Sequence, residues 1–265
     1  MKPLAVSVGD NCIDHYLPPL DCNFSGGNAV NVAVYLQRSG LSVAYIGAVG
    51  NDAHGRQILS DLKREGVDVS RVKVLPGHTA CTHVRLGLTG DRKFIHEDLG
   101  QKDAFVLDED DIAFILQHRL VHNTWQGGTE HYLSRFKKSP AILVSQDYGE
   151  RYTWDFVEQT IHYVDLAFFS VPENAIDKAP DLARRIYSLG PRLVVMTQGR
   201  NGSLVFNGEF YRYPARQVEA TDTLGAGDAY IGAFLASLLK GKKILQCMEY
   251  ATHIAGEACT HYGGW

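Results

Sequence analysis

Two glycines and a carboxylate stand close together at the start of a predicted helix near the end of the chain. The segment Thr221-Asp222-Thr223-Leu224-Gly225-Ala226-Gly227-Asp228 follows an apolar, extended run, and a helical pattern continues from it to Leu239. The first N–H groups of a helix have no intrahelical acceptor and lie at the positive end of its dipole. Because glycines lack side chains, a phosphate oxygen can approach these N–H groups closely.

Asp228 is the chemically active residue that this segment offers. A carboxylate beside a phosphate cradle is well placed to take a proton from a hydroxyl that attacks a transferring phosphoryl group. A capped helix is the alternative, because glycine suits the turn and an aspartate suits the helix dipole. The segment by itself does not decide between the two interpretations.

Polar residues near the N-terminus offer a candidate binding region. The apolar run Leu4 to Val8 predicts a buried parallel strand, and Asp10 and Asp14 follow it. Ligands of open α/β sheets collect beyond the carboxyl ends of the strands, so both carboxylates are candidates for a site. Turn and cap chemistry is the alternative for each of them.

The segment Phe24 to Asn31 adds backbone freedom and amide groups to that region. Gly26 and Gly27 would let the backbone approach a ligand, and Asn28 and Asn31 share one face of the helix that follows. Two amides placed in this way could hydrogen-bond the hydroxyl groups of a sugar. An N-cap role is the alternative for Asn28.

Two further predicted strands are each followed by residues that could reach the same edge of the sheet. Asp147 comes after the strand Ile142 to Ser145 and adds a carboxylate there. Thr197 comes after the strand Leu193 to Met196 and opens a glycine-bearing turn whose N–H groups could hold a phosphate. A plain glycine-rich turn has the same composition.

The order of predicted elements indicates how these residues are positioned. Strands and helices alternate along most of the chain, which predicts a parallel sheet covered by helices. Thr82 to Leu88 and Arg92 to Ile95 instead predict two strands joined directly by Thr89-Gly90-Asp91, and these should pair antiparallel. Together with the segment Cys12 to Asn23 they predict a small sheet that covers the site as a lid. The charged side chains in this region, which face either substrate or water, are Arg92, Glu97 and Asp98.

Composition narrows the class of protein. A chain of 265 residues, 45% of them hydrophobic, suffices for one large α/β domain. The net charge of −4 does not indicate a nucleic-acid partner, and no apolar run is long enough to cross a membrane. Five cysteines without a CxxC pair favour a reduced, cytoplasmic protein over a disulfide framework or a zinc site.

Three motifs in a fixed order resemble those of PfkB-type (ribokinase) carbohydrate kinases. They are Gly26-Gly27 with Asn31, Thr-x-Gly-x-x-Gly at residues 197–202, and Asp-Thr-x-Gly-Ala-Gly-Asp at residues 222–228. The resemblance covers essentially the whole chain. It implies a ribokinase-like three-layer α/β/α sandwich, with a mostly parallel central sheet and a small β-sheet lid. Residues 1–265 would form one kinase domain, with lid strands from about 12–24 and 72–96.

The resemblance also implies a role for individual residues. Asp228 matches the catalytic base. Asp14 matches a sugar-contacting position, which is why Asp14 is favoured over Asp10 as a sugar contact. The matching positions for the anion hole are Gly225, Ala226 and Gly227, those for the sugar are Asp14, Gly26, Gly27 and Asn31, with Arg92 as a further candidate, and those for the nucleotide are Thr197, Gly199, Gly202 and Thr252, the last beside the adenine pocket.

Cofactors and assembly are implied in the same way. ATP should bring Mg²⁺, but the family's Asn-x-x-Glu motif is altered here, since Glu173 stands at the usual Asn position and Ile176 at the usual Glu position. Glu173 or Asp147 is therefore expected to help hold the metal. Some relatives are activated by a monovalent cation such as K⁺, for which the neighbourhood of Asp222 would be the place, and relatives often pair through their lids as homodimers.

The N-terminal motifs and the aromatic-Gly-x-Trp ending are similar to those of bacterial family members that phosphorylate the 6-hydroxyl of fructoselysine, a lysine Amadori product. The resemblance therefore implies a sugar–amine substrate, with fructose, ribose, a keto-deoxy sugar acid or a nucleoside as alternatives. A non-catalytic sugar-binding regulator on the same scaffold is the alternative from another class. A Rossmann dehydrogenase is disfavoured because no Gly-x-Gly-x-x-Gly follows the first strand.

Overall fold

The computed structural model describes residues 4–87, 92–101 and 104–265, and the turn predicted at residues 89–91 lies outside this part of the chain. In chain order its strands are β1 (Ala5–Val8), β2 (Cys12–Tyr16), β3 (Cys22–Gly26), β4 (Val43–Ile46), β5 (Ala48–Gly50), β6 (Lys73–Leu75), β7 (Cys81–Leu86), β8 (Arg92–Asp98), β9 (Leu120–Thr124), β10 (Leu143–Asp147), β11 (Leu166–Ser170), β12 (Leu193–Thr197), β13 (Ser203–Phe206) and β14 (Phe210–Tyr213). The α-helices are α1 (Asn28–Arg38), α2 (Ala53–Arg64), α3 (Glu109–Ile115), α4 (Leu133–Phe136), α5 (Trp154–Thr160), α6 (Ala179–Tyr187), α7 (Ala226–Leu239) and α8 (Ile244–Ala258).

The central sheet has the strand order β14-β13-β12-β11-β10-β9-β1-β4. The six strands β4, β1, β9, β10, β11 and β12 pair in parallel with their neighbours in this group. At the far edge, β13 pairs antiparallel with both β12 and β14. Strands such as β1 are buried along their whole length, as expected for short apolar runs covered on both faces. The parallel pairing brings the carboxyl ends of β1, β9, β10, β11 and β12 to one edge.

Helices cover both faces of this sheet and enclose two apolar cores. One core packs α1, α2, α7 and α8 against the sheet, around side chains such as Leu36 and Phe234. The other packs α3 to α6 against the opposite face, around side chains such as Phe136 and Ile186. The predicted three-layer α/β/α sandwich with a mostly parallel sheet is therefore confirmed. No helix in the described ranges combines the length and the apolar character that crossing a bilayer needs.

Helix α7 is apolar all round because it lies between α1 and α8, with nearly every side chain from Ala229 to Ser237 buried. The close approach of α1 requires a glycine at position 232, where an added Cβ would lie 2.6 Å from Cβ of Tyr35. Helix α7, which carries Asp228 in its first turn, is thus packed into the core.

A separate four-stranded sheet, in the order β3-β2-β7-β8, forms the lid. Strands β7 and β8 pair antiparallel, as the short connection between them predicts. The residues Lys73–Leu75 fall within the predicted lid range but pair in parallel with β5 in a small sheet of their own. The lid therefore consists of residues 12–16, 22–26, 81–86 and 92–98.

Candidate active site

One cavity lies between the carboxyl edge of the central sheet and the lid, with a volume of about 280 Å³. The lid contributes Asp14 to its lining, the sheet edge contributes Asp147 and Thr197, and the start of α7 contributes Gly227 and Asp228. Residues from the two ends of the chain thus meet in one space. This is the location in which open α/β sheets bind their ligands.

The beginning of α7 faces this cavity without obstruction. Gly225 precedes the helix with φ of 74°, and an added Cβ would lie 2.4 Å from the carbonyl oxygen of Gly264, so only glycine fits. An added Cβ at Gly227 would meet no atom within 4 Å. Since the first N–H groups of a helix lack intrahelical acceptors, this open tip can receive an anion.

Asp228 lies in the first turn of α7 and is only 8% exposed. Burial raises the pKa of its carboxyl well above the usual range, and the nearby charges of Asp147 and Asp10 raise it further. Arg92 and a hydrogen bond from Nδ2 of Asn31 to Oδ2 of Asp228, 2.7 Å long, act in the opposite direction. Asp228 is thus a buried, oriented carboxyl group with an enhanced affinity for a proton.

Asn31 contacts Asp228 and could also contact a ligand. Its Nδ2 donates to Asp228, whereas its Oδ1 is buried and has no hydrogen-bond partner among the residues that the structure describes. Buried polar atoms of folded proteins are normally paired, so this oxygen is suited to accept a hydrogen bond from a hydroxyl group. Asn31 therefore fits the sugar-contacting position that the resemblance implies.

Asp14 and Asp10 both line the cavity, but their contacts differ. Asp14 lines the cavity from β2, and burial raises the pKa of its carboxyl to about 7. Gly26 makes room for it, because an added Cβ there would lie 2.1 Å from Oδ2 of Asp14. Asp10 instead accepts hydrogen bonds from N of Asn28, at 2.7 Å, and from the hydroxyl of Thr124, and so caps α1.

Asp222 joins three separate parts of the site. It is completely buried, and its carboxylate accepts hydrogen bonds from the hydroxyl of Tyr16 in the lid, from N of Leu224 at 2.9 Å and from N of Gly263 at 3.1 Å. Both oxygens of the residue beside which a monovalent cation is expected are thus engaged by protein donors. We refer to this arrangement of Asp222, Tyr16, Leu224 and Gly263 as the Asp222 clasp.

Removing the hydrogen bond from Tyr16 in the lid to Asp222 should destabilise the protein. A Tyr16→Phe substitution leaves the buried Asp222 carboxylate short of one donor, and hydrogen bonds to charged groups contribute about 1.5–3 kcal/mol. We expect the free energy of unfolding, measured by urea denaturation, to fall by about that amount. The matched control is Tyr163→Phe at an exposed tyrosine, and an equal loss in both variants would contradict the clasp.

Arg92 connects the lid to the loop before α7. Its Nη1 donates to the carbonyl oxygen and the hydroxyl of Thr223, at 2.9 Å and 3.0 Å, while the residue also lines the cavity. Its charge opposes the upward pKa shifts of Asp14 and Asp228. Arg92 therefore lies at the end of the cavity where the helix tip and Asp228 are found.

The residues expected to hold the nucleotide lie at and beyond the end of β12. Thr197 lines the cavity, and Gly199 and Gly202 lie in the turn after it with φ of 53° and 91°. Gly202 is also required for packing, since an added Cβ would lie 2.1 Å from the carbonyl oxygen of Tyr213. Thr252 is buried on α8 and is not part of the cavity lining.

The structure does not bring Glu173 to the cavity. Its carboxylate is exposed and pairs with Nη2 of Arg200 at 2.5 Å. Asp147, by contrast, lines the cavity, and burial raises the pKa of its carboxyl to about 7. Within the described ranges, no group of three or more His, Cys, Asp or Glu side chains is arranged to hold a metal ion by itself.

Several residues of the site escaped the sequence analysis. Tyr16 could not be paired with Asp222 across 206 positions, and no motif marked Trp125, Glu150 or Arg151, which line the cavity from loops after β9 and β10. By contrast, the aromatic-Gly-x-Trp motif did mark the C-terminal residues in the sequence. Gly264 lies directly against Gly225 and Asn31.

Residues 21–122 and 157–264 of the chain match the pfkB family of carbohydrate kinases. It is 36% identical to the fructoselysine 6-kinase of Escherichia coli (strain K12), a match that covers 100% of both chains. It is 31% identical to the fructosamine kinase FrlD of Bacillus subtilis, over 98% of this chain and 92% of that one.

Solved structures with low sequence identity share the fold. The ribokinase of Arabidopsis thaliana, solved with ribose and ATP, superposes with a TM-score of 0.85 at 20% identity, over 99% of this chain and 94% of that chain. The ribokinase of Giardia lamblia superposes with a TM-score of 0.86 at 19% identity and the same coverage.

Proposed function

Since the chain belongs to the pfkB family of carbohydrate kinases, we propose that it transfers the γ-phosphoryl group of ATP to the 6-hydroxyl of fructoselysine. Full-length similarity to enzymes with that activity supports the choice of substrate. The observation that carries the chemistry is the buried Asp228 carboxyl, oriented by Asn31 beside the open tip of α7. Its raised pKa favours taking up a proton.

In the proposed reaction the 6-oxygen of the sugar bonds to the γ-phosphorus as Asp228 takes the hydroxyl proton. The bond from the γ-phosphorus to its bridging oxygen breaks, and ADP leaves. The N–H groups at Gly225 and Gly227 would donate to the phosphoryl oxygens, where preorganised donors stabilise developing charge strongly. The N–H of Ala226, which lies 3.4 Å from the carbonyl oxygen of Thr223, would join them. The lid, held by the Asp222 clasp, limits access of water as a competing acceptor.

The buried carboxyl groups at the sheet edge fit a magnesium ion that arrives with ATP. Asp147 and Asp228 both line the cavity, and the charge of Asp147 raises the pKa of Asp228, so a cation nearby would relieve their repulsion. When bound, Mg²⁺ neutralises phosphate charge. Asp147 is better placed than Glu173 for this role, and the role of Glu173 stays a prediction.

The charge of Asp147 should be visible in the pH dependence of the reaction. Asp228 must be unprotonated to act as a base, so its raised pKa places the acid limb of kcat/KM above the pH at which an ordinary aspartate titrates. An Asp147→Asn substitution removes a negative charge that raises this pKa. We expect the limb to move to lower pH in a full pH–rate profile, and an unmoved or higher limb would contradict the assignment.

Three finer features of the proposal remain predictions. A dependence on K⁺ would require a cation to share Asp222 with the donors of the clasp. A cytoplasmic location suits the five cysteines, all of which are free thiols. Pairing of two chains through their lids is the third, and analytical ultracentrifugation would test it.

A panel of acceptors assayed with ATP tests the substrate. We expect kcat/KM for fructoselysine to exceed that for fructose, ribose, a keto-deoxy sugar acid and a nucleoside. Preference for one of the other sugars would keep the kinase and replace the substrate. Binding of fructoselysine without acceptor-dependent release of ADP would instead indicate a sugar-binding regulator.

A further inference from the structure

An ion pair between the lid and the body of the protein lies in the wall of the cavity. Nη1 of Arg151, in the loop after β10, is 3.6 Å from Oε2 of Glu97 on β8, and both residues line the cavity. Their side chains are 62% and 35% exposed, which places them at its mouth. We infer that Arg151 and Glu97 bind the α-carboxylate and the α-ammonium group of the lysyl half of the substrate, an inference that rests on the proposed function.

The spacing of the lid strands supports this assignment. Asp14 on β2 pairs with Thr82 on β7, and Thr82 pairs with Glu97 on β8, so the three residues form a row across the inner face. Neighbouring strands lie about 4.8 Å apart, which puts Glu97 about 10 Å from Asp14. A sugar held at Asp14 could therefore extend a four-methylene chain along the row and present an amino-acid head group to Glu97.

Several of the other charged groups around the cavity are already engaged; Glu150, which is next to Arg151 in the chain, also lines it. Arg92 and Arg151 are its lining cations, and Arg92 donates to Thr223 at the reacting end. The Asp98 carboxylate accepts hydrogen bonds from Gly100 and His78, at 2.9 Å and 3.0 Å. Arg151 is thus the cation left for a carboxylate, and Glu97 the anion opposite it.

The pair is loose enough to open for a ligand. Its separation of 3.6 Å is longer than the 2.7–2.9 Å typical of a charge-assisted hydrogen bond. Exposed ion pairs contribute little to stability, so separating the two groups costs little. A zwitterion entering between them would give each group an opposite charge. Leu99, an exposed apolar side chain of the same lining, could cover the methylene chain.

The test compares two acceptors that share the sugar and differ in the head group. One is fructoselysine, and the other is the fructose adduct of butylamine, which lacks both the carboxylate and the α-amino group. We expect Arg151→Gln to lower the preference for fructoselysine, taken as the ratio of the two kcat/KM values, by about tenfold or more, since hydrogen bonds to charged groups contribute about 1.5–3 kcal/mol. Arg85→Gln, which removes an exposed lid cation outside the cavity, should leave the ratio unchanged.

A third acceptor separates the two residues. The fructose adduct of 6-aminohexanoate keeps the carboxylate but lacks the α-amino group, so we expect Arg151→Gln to impair its use and Glu97→Gln to spare it. If the ion pair only holds the lid against the body of the protein, both variants will change kcat/KM for all three acceptors by the same factor. That result would overturn the inference. A wild-type protein that phosphorylates none of the three adducts would refute the proposed function instead.

Discussion

Replacement of Asp228 by asparagine is expected to lower kcat by about 10²–10⁴-fold, the range that a positioned proton acceptor contributes. The substitution keeps the shape of the side chain, and an amide oxygen can still accept the hydrogen bond from Asn31. It removes the group that we propose takes the proton of the attacking hydroxyl. Steady-state release of ADP in the presence of fructoselysine measures the effect.

Stability and binding provide the controls for this variant. Asp228 is a buried carboxyl group whose charged form is disfavoured by burial, so a neutral amide of the same shape should leave the free energy of unfolding unchanged or higher. Binding of ATP, measured by calorimetry, should persist. A folded Asp228→Asn protein with near-normal kcat would show that the residue is not the base.

The second large effect is expected at Gly227, where an alanine should separate activity from stability. An added methyl group meets no protein atom within 4 Å, and alanine is the better helix former by up to about 1 kcal/mol, so the free energy of unfolding should stay the same or rise. The methyl group would, however, stand at the helix tip where we propose that the phosphoryl oxygens bind. Loss of such a donor typically costs about 10²–10³-fold in kcat.

Gly232→Ala, on the same helix, provides the opposite result as a matched control. Its methyl group would lie 2.6 Å from Cβ of Tyr35 and away from the cavity, so overpacking should cost about 1–3 kcal/mol of stability while the folded fraction retains its kcat. Urea denaturation and ADP release, measured on both variants, check the contrast. A Gly227→Ala protein of full activity would show that the phosphoryl group does not lie at this tip.

Much of the fold follows from local features of the sequence. Short apolar runs such as Ala5–Val8 have the composition of buried parallel strands, and the direct connection of β7 to β8 indicates antiparallel pairing. The glycines before Asp228 indicate the beginning of a helix, because a helical pattern follows them directly in the sequence. Such features depend on neighbouring residues alone, which is why the sequence reveals them.

Contacts between distant residues could not be predicted in this way. Nothing in the sequence couples Tyr16 to Asp222 or Glu97 to Arg151, since each pair joins the lid to a part of the chain that is distant in sequence. The pairing of Lys73–Leu75 with β5 instead of the lid likewise depends on the path of the chain after α2. The altered Asn-x-x-Glu motif offered Glu173 as a metal ligand, but the fold places Arg200 against it.

Analysis of the reaction product tests the central claim most directly. The purified protein, incubated with ATP, Mg²⁺ and fructoselysine, should release one ADP for each phosphomonoester formed. Phosphorus NMR should show that phosphorus couples to the two protons on C6 of the sugar. Release of ADP without a sugar phosphate, a phosphate on another hydroxyl, or the absence of any reaction would contradict the account.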